Sequence, residues 1–117
     1  MTDAITIFHN PACGTSRNTL AAIRDAGHEP KVVEYLKAGW TKPQLKQLLK
    51  DMAAKPRDIL RVRGTPAEEL GLTDPKTTDE AILDAMVAHP ILVERPIVVT
   101  PKGTKLCRPS ETVQQLL

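Results

Sequence analysis

The sequence predicts an α/β fold in which a β-α-β unit is followed by a helical stretch and then by a β-β-α unit. Two observations predict this order. An amphipathic segment separates two short β-branched segments within residues 4–36, and two further such segments flank a turn at residues 101–103. The first pattern implies parallel strands joined by a right-handed crossover, and the second implies an antiparallel hairpin. The expected sheet is therefore mixed.

The β-α-β unit begins the chain. The segment "AITIF" at residues 4–8 is short, apolar and β-branched, which predicts a buried strand. In "TSRNTLAAIRDAG" the apolar positions around Leu20 and Ile23 predict a helix, which Gly27 ends. The segment "KVVEYL" at residues 31–36 predicts the second strand.

The middle of the chain, at about residues 41–89, predicts a helical insertion. Thr41 is in the position of an N-cap, and Pro43 lies in the first turn of the helix that follows. The apolar residues of this helix recur at helical spacing, as Leu45, Leu48, Leu49 and Met52.

Three shorter helices are predicted in the rest of the insertion. The segment "PRDILRVRG" predicts a short helix that ends at Gly64. In "TPAEELGL", Thr65 is followed three residues later by Glu68, which is the pattern of a capping box. The segment "TTDEAILDAMVAHP" predicts a helix that begins near Thr78 and ends before Pro90.

The C-terminal part predicts a hairpin and a last helix. The segments "IVVT" and "TKLCR" flank the turn, and "SETVQQLL" predicts a helix capped by Ser110. Taken in order, these elements fit a thioredoxin-like sheet with helices packed around it. We expect one domain, residues 1–117, with the helical insertion at about 41–89.

Composition argues against several classes of function. The chain is 41% hydrophobic and 26% charged, which is ordinary for a globular domain. A net charge of +2 gives no reason to expect binding to nucleic acid or to a membrane. The N-terminal "MTDAITIFHN" carries an early acid and no long apolar run, so it is no signal peptide. We therefore expect a cytoplasmic protein.

The two cysteines are too few for a disulfide scaffold, and we expect both to be free thiols. Together with three scattered histidines they show no metal-ligand spacing, so no metal site is expected. Cys107 lies in a predicted strand, where a small buried hydrophobic residue is a commoner role than a resolving thiol.

Cys13 is expected to be a chemical site, because a strand ends and a helix begins around it. Helix N-termini present unpaired N–H groups and partial positive charge, which lower the pKa of a thiol. Arg17 lies one turn further on, and His9 and Asn10, just before the loop, are expected to support it and tune the thiol. The alternative is a buried structural cysteine at a tight turn, with His9 hydrogen-bonded into the core.

The same loop is expected to bind an oxyanion. The N–H groups of Gly14, Thr15 and Ser16 can surround a tetrahedral anion, and Arg17 adds a guanidinium. Low-molecular-weight phosphatases need an arginine six residues after the cysteine, where this chain has Thr19. Dithiol oxidoreductases need a C-x-x-C pair, where this chain has Ser16. A second thiol from elsewhere must then complete any redox cycle.

Arginines outside the loop are the next candidates for the anion site. Arg95 precedes Pro96 at the start of the hairpin, where thioredoxin-like folds usually have a cis proline that faces the active cysteine. Arg108 ends the second hairpin strand, and Arg61 and Arg63 lie at the end of a short predicted helix. For each of them the alternative is an ordinary surface arginine.

Three separated segments, "HNPACGTSRNTL", "HPILVERPIVVTPKGT" and "LCRPSE", closely resemble the glutaredoxin-coupled arsenate reductases. The resemblance covers essentially the whole chain in order. Some members of that family extend beyond the position of Leu117, but no motif lies there, so we expect the chemistry not to need the extension. Regulators of similar layout that bind RNA polymerase commonly carry a C-x-x-C pair, which this chain lacks.

The resemblance implies a thioredoxin-like enzyme that reduces arsenate to arsenite with glutathione as co-substrate, glutaredoxin as partner and no bound cofactor. The nucleophilic cysteine of the family matches Cys13. Its three anion-binding arginines match Arg61, Arg95 and Arg108, with Arg63 as a near rival to Arg61. Phosphate is expected to be a weak competitor. Two alternatives are a monothiol glutaredoxin-like transferase and a thioredoxin-like regulator that docks a protein.

Overall fold

The structure is a computed structural model that describes residues 5–117. The first residue of the predicted strand at 4–8 lies outside the described residues. The chain divides into two compact units, one made of the N-terminal residues to Ala38 together with Arg95–Leu117, and the other of Gly39–Glu94. The single domain over residues 1–117 stays a prediction.

The first unit is built on a four-stranded mixed sheet, as predicted. Its strands are β1 (Thr6–His9), β2 (Lys31–Glu34), β3 (Ile97–Thr100) and β4 (Gly103–Leu106), in the spatial order β2-β1-β3-β4. Strands β1 and β2 are parallel, whereas β3 is antiparallel to both β1 and β4. The hairpin and the β-α-β unit are both confirmed.

Helix α1 (Gly14–Asp25) joins the two parallel strands, and the last element is a 3₁₀ helix, Ser110–Leu116, that packs against α1. Ile23 points from α1 into the core and is fully buried. The core cluster of this unit consists of Ile5, Ile7, Ile23, Val98, Cys107, Val113 and Leu116. Burial of this apolar surface is the main force that holds α1, and so its N-terminus, on the sheet.

The hairpin strand predicted at "TKLCR" ends at Leu106, so Cys107 and Arg108 lie just after it and not in it. Two further predicted boundaries in the first unit are also wrong. The strand expected at 31–36 stops at Glu34, and the short helix α2 (Tyr35–Ala38) follows, with Tyr35 buried and the next residue exposed. The last helix is 3₁₀, and Ser110 is its first residue, not its cap. Pro109 occupies the N-cap position, and its carbonyl accepts the Thr112 N–H in a 3₁₀-type bond.

The second unit contains the predicted helices α3 (Lys42–Met52) and α4 (Asp79–Ala88). Thr41 and Gln44 form a reciprocal capping box at the start of α3, and the Thr78 hydroxyl accepts the Ala81 N–H at the start of α4. Their buried faces consist of Leu45, Leu48 and Leu49 on α3, and Ile82, Leu83 and Met86 on α4. Both helices are confirmed.

Of the other two helices predicted in the second unit, the first is shorter than expected and the second does not form. Residues 56–64 form only a 3₁₀ turn, Pro56–Ile59, and residues 65–72 form a series of turns. Gly64 and Gly71 both have positive φ, which interrupts helical backbone at each end of the second segment. Thr65 accepts the Ala67 N–H instead of forming the expected capping box.

Two sets of contacts to the backbone hold the chain in place between α3 and α4. The Arg57 guanidinium donates to the carbonyl oxygens of Leu72, Asp74 and Thr77 over 2.9–3.2 Å, and so holds residues 72–77. A 3₁₀ turn, Pro90–Leu92, precedes an isolated antiparallel bridge between Leu60 and Val93. Within residues 5–117, no helix combines the length and the apolar character needed to cross a bilayer.

Candidate active site

Cys13 is the N-cap of α1, which places its thiol where the helix presents unpaired amides. Its backbone is extended (φ −97°, ψ 122°), its N–H donates to the Asn10 carbonyl, and its own carbonyl accepts the Arg17 N–H. The side chain makes no capping bond and is partly exposed, so the sulfur is accessible. This is the position that the order of strand, loop and helix predicts.

The loop before α1 is anchored by a buried polar cluster. The His9 Nδ1 atom lies 2.6 Å from the Ser16 hydroxyl, which also accepts the Asn10 N–H over 3.1 Å. The Asn10 side chain in turn accepts the Ala12 N–H. His9, Asn10 and Ser16 are each less than 10% exposed, so these bonds hold the loop in a fixed conformation. Sequence reasoning had not paired His9 with Ser16.

Burial lowers the pKa of His9, and the guanidinium groups of Arg24 and Arg17 lower it further, while the carboxylate of Glu34 opposes them. His9 is therefore mainly neutral at pH 7, and one of its ring nitrogens is free of a proton. Its bond to Ser16 then supports the loop without adding a positive charge to it. A role for His9 and Asn10 in tuning the thiol stays a prediction.

Two arginines of the hairpin approach the sulfur. The Nη1 atom of Arg108 lies 3.7 Å from the Cys13 sulfur and also donates to the Arg95 carbonyl over 2.9 Å. Arg95 is only 8% exposed, and its Nε and Nη1 atoms have no hydrogen-bond partner among the described residues. Buried guanidinium nitrogens are seldom left in this state, so Arg95 has donors available for an anion.

Both hairpin arginines precede a proline in the cis form, at Arg95–Pro96 and at Arg108–Pro109. The first of these was expected from the sequence, and the second was not. The Pro96 carbonyl accepts the Cys107 N–H over 2.9 Å, which joins the two ends of the hairpin next to the site. The two arginines are therefore held by the same pair of strands.

Burial by itself would raise the pKa of Cys13, but the site reverses this effect. The Ser16 N–H, which lies near the sulfur without forming a capping hydrogen bond, and the side chains of Arg95 and Arg108 together lower the pKa of Cys13 to about 7. About half of the molecules then carry the thiolate at pH 7. A thiolate is the nucleophilic form of cysteine, so the thiol is activated.

Arg17 and Gly14 are two of the loop residues predicted to bind the anion. Arg17 is exposed, and its Nη1 atom donates to the Pro11 carbonyl over 2.9 Å, which engages part of the guanidinium in holding the loop. A Cβ atom added at Gly14 would meet only ordinary contacts, so close packing does not explain this glycine. Anion binding by Gly14, Thr15, Ser16 and Arg17 stays a prediction.

Arg61 lies in the second unit. Its Nη1 atom bonds the Glu94 carboxylate over 2.8 Å, and its N–H donates to the Leu92 carbonyl over 2.7 Å. Arg63, the rival from the sequence, is exposed. Sequence reasoning missed Glu94, although it stands directly before Arg95. That Arg61 binds the anion stays a prediction.

The second thiol, that of Cys107, differs from Cys13 in both burial and pKa. Cys107 is fully buried in the core, and burial raises its pKa to about 12. Its sulfur lies 3.7 Å from the Lys105 carbonyl. Within residues 5–117 there is no cluster of three or more His, Cys, Asp or Glu side chains placed to hold a metal ion.

The sequence matches the ArsC family over residues 8–116. The chain belongs to the ArsC family. The predicted resemblance is thus confirmed, and so is the thioredoxin-like α/β fold.

Individual ArsC relatives agree over almost the whole chain. It is 57% identical to an arsenate reductase of Rhizobium meliloti over 113 residues, which are 97% of this chain and 81% of the relative. It is 58% identical to arsenate reductase ArsI2 of Synechocystis, with the same coverage. The structure of an arsenate reductase from Vibrio cholerae matches with a TM-score of 0.94 and 36% identity over 100% of both chains.

Proposed function

We propose that this chain is an arsenate reductase that converts arsenate to arsenite through an adduct on Cys13. One observation carries the proposal: a partly exposed thiol of pKa about 7 lies beside the Arg108 guanidinium, with Arg95 nearby on the same hairpin. Membership of the ArsC family and the arsenate reductases among its relatives support the choice of substrate.

The anion is expected to bind through its charge. Arsenate resembles phosphate, with four oxygens and between one and two negative charges near pH 7. Guanidinium groups match pairs of such oxygens, and the Arg95 donors that lack a partner are available to them. Phosphate has the same shape, so it competes for the site, but its oxygens exchange too slowly to form a stable adduct.

The first chemical step makes a sulfur–arsenic bond. The Cys13 thiolate attacks As(V), one oxygen of arsenate takes up protons and leaves as water, and a thiol–arsenate ester remains. The positive groups that hold the thiolate also stabilise the negative charge that develops on the oxygens. Arg61, Arg95 and Arg108 are proposed for this role.

The second step transfers two electrons. A glutathione thiolate attacks the Cys13 sulfur, and arsenic leaves with the electron pair of the sulfur–arsenic bond as arsenite. A mixed disulfide between Cys13 and glutathione results. Because position 16 is Ser16 and not a second cysteine, a glutaredoxin thiol attacks this disulfide and releases the Cys13 thiolate. Glutathione is thus a co-substrate, and no bound cofactor is needed.

The proposal is tested by an assay that couples arsenate reduction to NADPH oxidation through glutathione, glutaredoxin and added glutathione reductase, which returns oxidised glutathione to the thiol. NADPH consumption should stop when arsenate, glutathione, glutaredoxin or the protein is omitted. Continued consumption without arsenate, on a glutathionylated peptide in its place, would indicate a monothiol transferase instead. No consumption with all components present would refute the proposed function.

A further inference from the structure

A short antiparallel ladder in the second unit fixes the backbone on both sides of Arg61. Its N–H donates to the Leu92 carbonyl over 2.7 Å, and the Glu94 N–H donates to the Ile59 carbonyl over 2.8 Å. The bridge between Leu60 and Val93 lies between these bonds. In this register Arg61 is opposite Leu92 and Glu94 is opposite Ile59, so Arg61 and Glu94 are diagonal neighbours on one face of the two segments.

The side chains of these two residues meet across the ladder. Arg61 Nη1 and Glu94 Oε1 are 2.8 Å apart, and the two side chains are only 19% and 23% exposed. The surface pair Arg24–Glu29 is 3.3 Å apart, with side chains 51% and 73% exposed. The inner pair is thus shorter and less hydrated, and such a pair restrains a guanidinium far better than a surface pair does.

We propose that Glu94 is a positioning residue that holds the Arg61 guanidinium, across this ladder, in the orientation used to bind arsenate. The inference rests on the proposed function, in which Arg61 is one of the anion-binding arginines. Glu94 occupies one N–H of a guanidinium that has five, so donors remain for a second ligand. Arg63, which is exposed two residues later, has no such restraint in the described contacts.

Positioning and charge predict opposite effects when the carboxylate is removed. A free arginine side chain must lose rotamer freedom when it binds an anion, and a fixed one has lost it already. A carboxylate near an anion site, by contrast, repels the anion. If positioning dominates, loss of Glu94 weakens arsenate binding, and if charge dominates, its loss strengthens binding.

The test uses steady-state kinetics of the full chain with glutathione and glutaredoxin. We expect Glu94→Ala to raise the KM for arsenate about tenfold, which corresponds to ~1.4 kcal/mol, and to leave the KM for glutathione within about twofold. Glu94→Asp, which keeps the carboxylate, should recover part of the loss. Glu69→Gln removes an exposed carboxylate from the same unit and should change neither KM. Melting temperatures of all variants check that each is folded, and Glu94→Gln, which keeps the side-chain size, replaces Glu94→Ala if that variant does not fold.

A double-mutant cycle identifies the residue through which Glu94 acts. In an Arg61→Ala background, removal of Glu94 should add less than about twofold to the KM for arsenate, because the group it positions is already absent. The inference is overturned if Glu94→Ala leaves or lowers that KM, or if the two single effects add. If Arg61→Ala has no effect, Arg61 and Glu94 both drop out, although arsenate reduction by Cys13 still stands. Loss of the wild-type activity itself would be a failure of the proposed function.

Discussion

The two cysteines belong to one compact unit but have opposite surroundings. Cys13 is partly exposed at the N-terminus of α1, among the Ser16 N–H and two guanidinium groups, and its pKa is about 7. Cys107 is fully buried among aliphatic side chains, and its pKa is about 12. At pH 7 about half of Cys13 is ionised, against roughly one Cys107 in 10⁵.

The difference shows that local charge and dipoles, not burial alone, decide whether a thiol reacts. Both sulfurs lose some hydration, and for each of them this loss raises the pKa. Only at Cys13 do N–H donors stabilise the thiolate enough to offset the lost hydration. The segment just after β4, which carries Cys107, therefore contributes to stability, and the turn that carries Cys13 contributes to the chemistry.

Exchange of each sulfur for oxygen gives the largest expected contrast. Cys13→Ser should lower arsenate turnover by ~10³-fold or more and change stability little, because a hydroxyl at this partly exposed position is a poor nucleophile but an acceptable cap. Cys107→Ser should keep most of the turnover and cost about 1–3 kcal/mol of unfolding free energy, because it buries a hydroxyl in an apolar core. Turnover in the coupled assay and denaturant unfolding measure the two effects.

A dead Cys107→Ser variant that is still folded would show that the second sulfur takes part in the chemistry. That result would end the monothiol scheme.

Alkylation by iodoacetamide sharpens the same comparison. In the native protein Cys13 should react first, with a rate that rises with pH around a midpoint of about 7, while Cys107 reacts only on unfolding. Mass spectrometry of the labelled peptides distinguishes the two sites. Similar native rates at both sulfurs would contradict the contrast.

Removal of one guanidinium should reduce the difference between the pKa values of the two thiols. Arg108→Ala deletes the group 3.7 Å from the Cys13 sulfur, so we expect the pKa of Cys13 to rise by about one unit. Because Arg108 also binds the Arg95 carbonyl, Arg108→Lys serves as a control that keeps the charge. The thiolate absorbance, followed against pH, measures the shift, and an unchanged midpoint would assign the lowered pKa to the Ser16 N–H and Arg95 without Arg108.

The smallest expected effects concern stability against pH, and they have opposite signs. The folded pKa of Cys13 lies below its unfolded value, so ionisation stabilises the fold above the unfolded pKa, and this gain is lost as the pH falls from about 9 to about 7. After a discount for its exposure, the gain is at most ~1 kcal/mol. The folded pKa of Cys107 lies above its unfolded value, so the fold loses stability as the pH rises from about 9 towards 12.

Unfolding curves at several pH values test both signs. Cys13→Ser should remove the gain between pH 7 and 9, and Cys107→Ala should reduce the alkaline loss. The account is wrong on this point if either variant keeps the pH profile of the wild type.

Sequence alone predicted the parts of this molecule that rest on local patterns. Cys13 was placed at a helix N-terminus because β-branched residues end just before it and helical spacing starts after it. The bond between His9 and Ser16 was missed because it joins residues seven positions apart through a folded loop. The pairing of Glu94 with Arg61 was missed because the two residues are 33 positions apart in the sequence.

The helix that was wrongly predicted at residues 65–72 shows that a local pattern can also predict structure that does not form. Thr65 and Glu68 have the spacing of a capping box, but the glycines at 64 and 71 take positive φ and break the segment into turns. Spacing is a weak guide where few apolar residues are available to pack a helix. In α3, three leucines on one face supply that packing, and there the capping box forms.

The central claim is that the surroundings of Cys13 keep its sulfur ionised at neutral pH. The most direct measurement is a titration of the thiolate absorbance in Cys107→Ala, where Cys13 is the only cysteine. We predict a midpoint of about 7. A midpoint at the ordinary cysteine value of ~8.5 or above would contradict the claim.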